Sequence, residues 1–380
     1  GLNILRHNST SQQTAVIEIG SSGTSQDSID EMPHDIIIDR CLIRGADNAS
    51  TRRGIKIDAK DSQVINSYID NFWETGSDSQ GIYAANGGQN ILIANNFIEA
   101  ASENLLTGGD PDPSISNFVP NNWTIEHNHF FKRLSWVGAS KQVKNLFELK
   151  NARDFTIRNN IFENHWLDAQ DGPSIVFTPR NQNGGATWVT LENITFEYNI
   201  IKNVSAGFNV MVTDDINTSE AISNFNINNN LIEIYTNSLG GGQGRLFLLH
   251  GSNSQGAMDG LVFDHNTVVH RESGQYKNAF SESIGAINIV SGLEITNNII
   301  AGLDTDSEDW VGLPRSPTNT GAAQLARIAV DDTYTYTGNV VQIGSSGMPT
   351  GNYYTTSRNS IGFEDYAGRN YALKNNSPYR

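Results

Sequence analysis

A chain of 380 residues with a formal charge of -16, 37% hydrophobic and 17% charged, is neither a coiled coil nor a disordered acidic tail, and no apolar run approaches the length of a membrane span. One cysteine, Cys41, excludes an internal disulfide framework, and the acidic balance argues against nucleic acid or an anionic membrane as partner. The length exceeds the roughly 250–300 residues at which a single core stops growing, a limit that repeat architectures escape.

In chain order, a short pattern returns: apolar and polar residues alternate, an Asn follows, and alternation resumes. Two early copies, residues 38–43 and 64–69, carry Cys41 and Ser67 in the Asn slot. Seven fuller copies carry Asn96, Asn128, Asn160, Asn199, Asn230, Asn266 and Asn298 there, and a weak late copy carries Asn339. The spacing is roughly 26–41 residues, mostly about 32, which signals a solenoid. None of these runs has a helical period, so each copy reads as two short strands joined at a corner. A further strand-like run follows most copies, at residues 54–57, 81–84, 146–149, 174–177, 209–212, 246–249 and 286–289.

Three short strands per repeat predict an all-β, single-stranded, right-handed parallel β-helix of about ten coils, with long loops from its central coils. Asn suits the corner because it tolerates left-handed backbone angles and its amide can bond the equivalent Asn one coil away. Stacked coils would turn this into a buried amide ladder. The expected divisions are residues 1–302 for the β-helix, 303–330 for an insertion whose acidic, Pro-bearing stretch is followed by a helical turn, and 331–380 for the last coil and closing segment. The abrupt start at Gly1 and the closing Ser377-Pro378-Tyr379-Arg380 predict a piece of a longer protein.

Several stretches carry a resemblance: Arg52-Arg53-Gly54-Ile55, Asp78-Ser79-Gln80-Gly81-Ile82, Glu103-Asn104 with Gly108-Gly109-Asp110-Pro111, Lys144-Asn145-Leu146-Phe147-Glu148-Leu149-Lys150-Asn151, and Gln170-Asp171 followed by Thr178-Pro179-Arg180-Asn181-Gln182. Over nearly its whole length the chain resembles the pectate-lyase-like superfamily of right-handed β-helix proteins and, more narrowly, an uncharacterised group of bacterial secreted β-helix proteins. The resemblance implies a secreted or cell-surface protein with the β-helix fold, and brings no activity with it.

Uronate-cleaving lyases of that fold remove the C5 proton with a basic residue while a cation neutralises the neighbouring carboxylate. The matching candidates here are Lys150, Arg180, His165, Asp171 and His250. They fall in or near one predicted outward column, Asp58, Ala85, Gly108, Lys150, Thr178, Thr213, His250 and Val290. The column beside it is predicted as Lys56, Tyr83, Leu106, Glu148, Val176, Met211, Leu248 and Asn288. Desolvation beside Arg would bring a Lys toward a useful base. The competing interpretation is an exposed ion-pair ladder, Glu148 with Lys150 and Arg153 with Asp171.

Asp110, Asp112 and Asp168 are candidates for Ca²⁺, which favours carboxylates on loops. Tyr83, Trp136, Trp166 and Arg153 are candidates for contact with sugar, since exposed rings stack on sugar faces. Asp214-Asp215 imitates the paired acids of a glycoside hydrolase but reads better as a turn, because no matching His and basic motif accompanies it. Two functions follow. One is an extracellular protein that binds a polysaccharide, with β-elimination as its candidate chemistry. The other is a non-catalytic structural or adhesive module of a cell-surface, filament or tailspike-like assembly, whose partners are copies of itself or other surface proteins.

Overall fold

The computed structural model describes residues 1–6, 13–22, 25–170, 172–235, 244–251, 256–271, 280–282, 288–302, 321–342 and 345–380. Their strands form three long parallel sheets, here A, B and C, of 12, 9 and 10 strands. One coil shows the plan. Lys60–Ile65 lies in sheet C, the corner follows, Tyr68–Phe72 lies in sheet A and Gln80–Ala84 in sheet B, and the chain then re-enters sheet C at Gln89–Ala94. Within these sheets strands pair in parallel with their equivalents in neighbouring coils, as at Phe97↔His129, Leu106↔Glu148 and Ile125↔Ile157. The molecule is thus a parallel β-helix, right-handed as parallel crossovers are.

The interior is built from the inward residue of each short alternation. Ile55, Ile82, Leu105, Phe147, Ile175, Phe208 and Phe247 point inward from sheet B, and Ile43, Ile69, Ile98, Phe130, Phe162 and Ile201 from sheet A; all are buried in one continuous core. Equivalent rings stack between coils, with Phe130 on Phe162 at 4.7 Å and Phe208 on Phe247 at 4.9 Å. Each such side chain contributes about 1.5–3 kcal/mol by leaving water. Because every coil buries its share against the next, the core grows by length and the size limit of a globular domain does not apply.

The amide ladder is continuous. From Asn96 through Asn128, Asn160, Asn199, Asn230, Asn266, Asn298 and Asn339 to Asn352, each Nδ2 donates to the next Oδ1 at 2.9–3.2 Å. Each backbone N–H donates to the same oxygen at 2.8–3.0 Å. Ser67 and Cys41 continue the line toward the start through N–H donations to Asn96 Oδ1 and Ser67 Oγ. Asn352 is a rung beyond those read from the sequence, after Gly351 as Asn339 follows Gly338. The left-handed backbone also lies one residue earlier than expected. The residues before the rungs carry the positive φ, for example Asn95 (56°), His127 (56°), Asn159 (55°) and Tyr198 (53°). The corner therefore divides its work: one residue turns the chain and the Asn after it bonds along the axis.

The helical turn expected after the insertion is an α-helix, Ala322–Ile328. Its Leu325 and Ile328 join the core, and the Arg327 and Ile328 carbonyls accept the N–H groups of Asn288 and Ile289. The closing segment is an antiparallel hairpin, Phe363–Asp365 with Asn370–Leu373. It folds back along the side of the solenoid, where the Tyr371 hydroxyl donates to Glu233 at 2.5 Å and Arg271 Nη1 donates to the Tyr366 carbonyl at 2.7 Å. Residues 303–320 of the predicted 303–330 insertion lie outside the described residues.

Candidate functional site

The outer face of sheet B carries the groove. Its first outward column runs Lys56, Tyr83, Leu106, Glu148, Val176, Asn209 and Leu248, in register from strand to strand. Asn209 stands where the sequence column placed Met211, and Ser281 where it placed Asn288. The strand Ala206–Met211 starts earlier than its apolar pattern suggests, because Ala206 pairs with Pro173. The second column accordingly reads Lys150, Thr178, Met211 and His250, with Met211 in the place given to Thr213. Val290 opens a strand of sheet C and leaves the column altogether.

Two clefts lie on this face. One, of about 630 Å³, is lined by Glu148, Lys150, Thr178, Arg180, Asn209, Met211 and His250 among others. The other, of about 520 Å³, is lined by Arg52, Arg53, Asp78, Tyr83, Asp110 and Lys150 among others. Lys150 and Gln182 line both, so the two are neighbouring reaches of one groove. Six inter-strand steps separate Lys56 from Leu248, about 29 Å at about 4.8 Å per step. Four cations, Arg52, Arg53, Lys150 and Arg180, and four carboxylates, Asp78, Asp110, Glu148 and Asp215, line the clefts. The groove is therefore charge-balanced, and the excess negative charge of the chain lies elsewhere.

Loops from neighbouring coils build the walls. Asp112 Oδ2 accepts N–H groups from Asn183 at 3.1 Å and Gly185 at 3.0 Å, and Asn183 Nδ2 donates to Asp110 Oδ1 at 3.3 Å. The Tyr83 hydroxyl donates to the Asp110 carbonyl at 2.7 Å, and the Arg53 guanidinium covers its ring at 4.2 Å. Arg180 donates through Nη1 to Asp214 and to Asp215, each at 2.8 Å. Asp214 is fully buried, and its Oδ1 also accepts the N–H of Ile216 at 2.9 Å. The Asp214-Asp215 pair is thus the turn expected of it, and that turn fixes Arg180. Lys150 lies 3.5 Å from Glu148, and Asn145 Nδ2 donates to Glu148 at 2.9 Å. Burial, with Arg245 nearby, lowers the His250 imidazole below its ordinary range and keeps it neutral.

The structure brings Lys150, Arg180, His250, Tyr83 and Asp110 to the groove and places His165, Trp136, Trp166, Arg153 and Asp168 elsewhere. His165 is fully buried, its Nε2 against the Lys144 carbonyl and Ser205 Oγ 3.4 Å from its Nδ1; burial holds it well below the usual imidazole range. Trp136 and Trp166 are buried together with Ala101 and Val143, so their faces are covered by the loops they pin. Arg153 projects from sheet C, where its Nε donates to Glu192 at 2.7 Å. Asp168 accepts the Val143 N–H at 2.8 Å. Asp171 lies outside the described residues.

The Ca²⁺ candidates do not assemble. Asp110 and Asp112 hold a loop clasp and Asp168 a separate backbone N–H. Among the described residues, no three His, Cys, Asp or Glu side chains gather as a metal-holding group. No helix among the described residues is long and apolar enough to cross a membrane.

Glu103 and Lys132, both buried, escaped sequence reasoning. Glu103 accepts Gln80 Nε2 at 2.7 Å, lies 3.7 Å from Lys144, and is pushed above the usual carboxyl range by burial. Lys132, fully buried, donates to the carbonyls of Ala100, Ala101 and Ser102 and to Asn104 Oδ1 at 2.7–3.0 Å. Its sequence neighbourhood, His129-Phe130-Phe131-Lys132, gives no sign of this.

No family model and no curated protein matches the chain. Three solved structures align with it. The Dettilon tailspike protein gp208 is 14% identical over 86% of this chain and 54% of its own, with a TM-score of 0.40. The tailspike gp61 of Pseudomonas phage phi297 is 14% identical over 82% and 51%, at 0.38. The tailspike gp49 of Pseudomonas phage LKA1 is 13% identical over 71% and 42%, at 0.28. The chain spans about half the length of the structures it matches. Its fold rests on the strand register described above.

Proposed function

We propose that this chain binds an extended polysaccharide along the outer face of sheet B. The supporting observation is the continuity of the two clefts through Lys150 and Gln182 over coils that rise in uniform steps, a repeat suited to a repeating polymer. Charge balance in the groove removes much of the repulsion that a chain of -16 would otherwise impose on an acidic glycan. Cleavage by β-elimination would use His250 to take the C5 proton, with Arg180 against the uronate carboxylate, as the C4=C5 double bond forms, the glycosidic C4–O bond breaks and the Lys150 ammonium protonates the leaving oxygen.

Binding to a panel of bacterial surface polysaccharides tests this, with ultraviolet absorbance read for unsaturated uronate ends. Lys150→Ala is expected to weaken whatever binds by about tenfold, the effect of one charge-assisted contact. A panel that binds nowhere, or binding indifferent to Lys150→Ala, overturns the proposal.

One observation favours a second, structural function. On sheet A an outward column, apolar but for His129, runs Leu42, Tyr68, Phe97, His129, Ile161, Ile200 and Leu231 in register. Tyr68 is 45% and Ile200 38% exposed, and Tyr68 stacks on Phe97 at 4.4 Å. A stripe of this kind suits side-by-side association with a second copy. Light scattering would show an oligomer that Ile200→Glu dissociates; a monomer at all concentrations would overturn it.

A further inference from the structure

We propose that the floor of the sheet B groove receives an acetamido group, so that the glycan it holds contains 2-acetamido sugars. This rests on the polysaccharide-binding function proposed above. Val176, Asn209 and Leu248 are consecutive partners in one outward column, and Met211 stands beside them in the next. Val176 is 3%, Met211 7% and Leu248 8% exposed, and all three line the larger cleft, so this apolar surface is recessed in the groove floor. Between Val176 and Leu248, Asn209 Oδ1 is buried with no hydrogen-bond donor from the chain. A buried acceptor of this kind is costly until a donor reaches it.

The groove offers little to a flat sugar face. Trp136 and Trp166 are shut away, and Arg53 covers the Tyr83 ring. Its apolar contacts are aliphatic, and Val176 and Leu248 stand two strand spacings apart with the Asn209 amide between them, so they offer a place for a methyl group beside the amide and no unbroken surface for a pyranose face. The ligand group required is one donor beside one methyl. A hydroxyl supplies the donor alone, a 6-deoxy sugar carries its methyl and its nearest hydroxyl on different ring carbons, and a carboxylate would set its lone pairs against Asn209 Oδ1. An acetamido group supplies both, its N–H to Asn209 and its methyl to Val176, Met211 and Leu248. Thr178 and Gln170, which line the same cleft, carry groups able to donate to its carbonyl.

The test uses the full chain on an array of bacterial surface polysaccharides, each printed native, de-N-acetylated and re-N-acetylated. Binding is expected on acetamido-bearing members, falling about tenfold or more on de-N-acetylation and returning on re-acetylation. Asn209→Leu, checked by an unchanged melting profile, is expected to lose about tenfold on the same members. Equal binding to polysaccharides without acetamido groups, or an unaffected Asn209→Leu, overturns the inference and leaves polysaccharide binding standing. Binding to no member overturns both.

Discussion

Removing one rung from the middle of the amide ladder should cost far more than removing a hydrogen-bonded Asn from the surface. Asn160 donates Nδ2 to the Ile125 carbonyl at 2.8 Å and to Asn199 Oδ1 at 3.1 Å, and its Oδ1 accepts both the N–H and Nδ2 of Asn128. In Asn160→Ala the buried Asn128 N–H loses its acceptor and the Ile125 carbonyl loses this donor. Asn199 Oδ1 keeps the backbone N–H of residue 160. Two buried groups left short, at about 1–3 kcal/mol each, give about 2–6 kcal/mol. With an unfolding entropy of about 2.1 cal/mol/K per residue, 4 kcal/mol corresponds to roughly 5 °C if the solenoid melts as one unit.

The control is Asn193→Gly. Asn193 makes two side-chain bonds, donating to Asp154 Oδ1 at 2.7 Å and accepting from Asn224 at 2.9 Å, and both are exposed. Its φ of 56° is one that Gly accepts, so the expected change is within about 0.5 kcal/mol. Calorimetry on both variants, with hydrogen exchange at coils flanking Asn160, measures the difference. Equal melting shifts, or a shift under about 1 °C for Asn160→Ala, would refute the reasoning.

Acidity should affect stability in a definite direction. Burial pushes the carboxyls of Asp58 and Asp70 up to about 6. Both bind protons more readily folded than unfolded, so their contribution is fully present below about pH 4 and is lost as pH rises through about 6. Melting temperature should fall between those values, and Asp58→Asn, which keeps an acceptor for the Ala85 and Asn86 N–H groups, should flatten the fall; a rise would contradict the assignment. Lys132→Met should cost about 3–5 kcal/mol in denaturant titrations by stripping the donor from three buried carbonyls and Asn104, and a neutral result would show those acceptors satisfied otherwise. Arg180→Met should loosen the turn at Asp214-Asp215, visible as faster hydrogen exchange at Ile216, whose N–H the Asp214 carboxylate accepts; unchanged exchange would mean the turn stands without Arg180.

The solenoid was legible because its signal repeats. Asn96 alone is an ordinary corner residue, but eight Asn at matching places can be satisfied together only if they stack. Tyr83 and His250 were legible for the same reason, since they belong to strands whose period was known, and Lys150 and Arg180 follow shortly after two such strands. What failed depended on loop paths. Trp136 and Trp166 read as exposed because they sit between repeats, yet their loops fold down to bury them with Val143. Asn209 was displaced in the register because the strand around it begins at Ala206, where the apolar pattern is weak. His165 looked available because one strand end resembles another, and only the turn that places the Lys144 carbonyl over it shows that it is sealed. Lys132 left no trace because its four acceptors come from a turn in the preceding coil.

Filling the groove tests the central claim most directly. Thr178 lies in the second outward column on the groove floor, and Thr267 occupies an outward place on sheet A, remote from it. Affinity for the polysaccharide that binds best should be measured for Thr178→Trp and Thr267→Trp. Binding lost by at least about tenfold in the first and retained in the second is the expected result. Binding retained in Thr178→Trp, or lost in Thr267→Trp, would contradict it and move the site off sheet B.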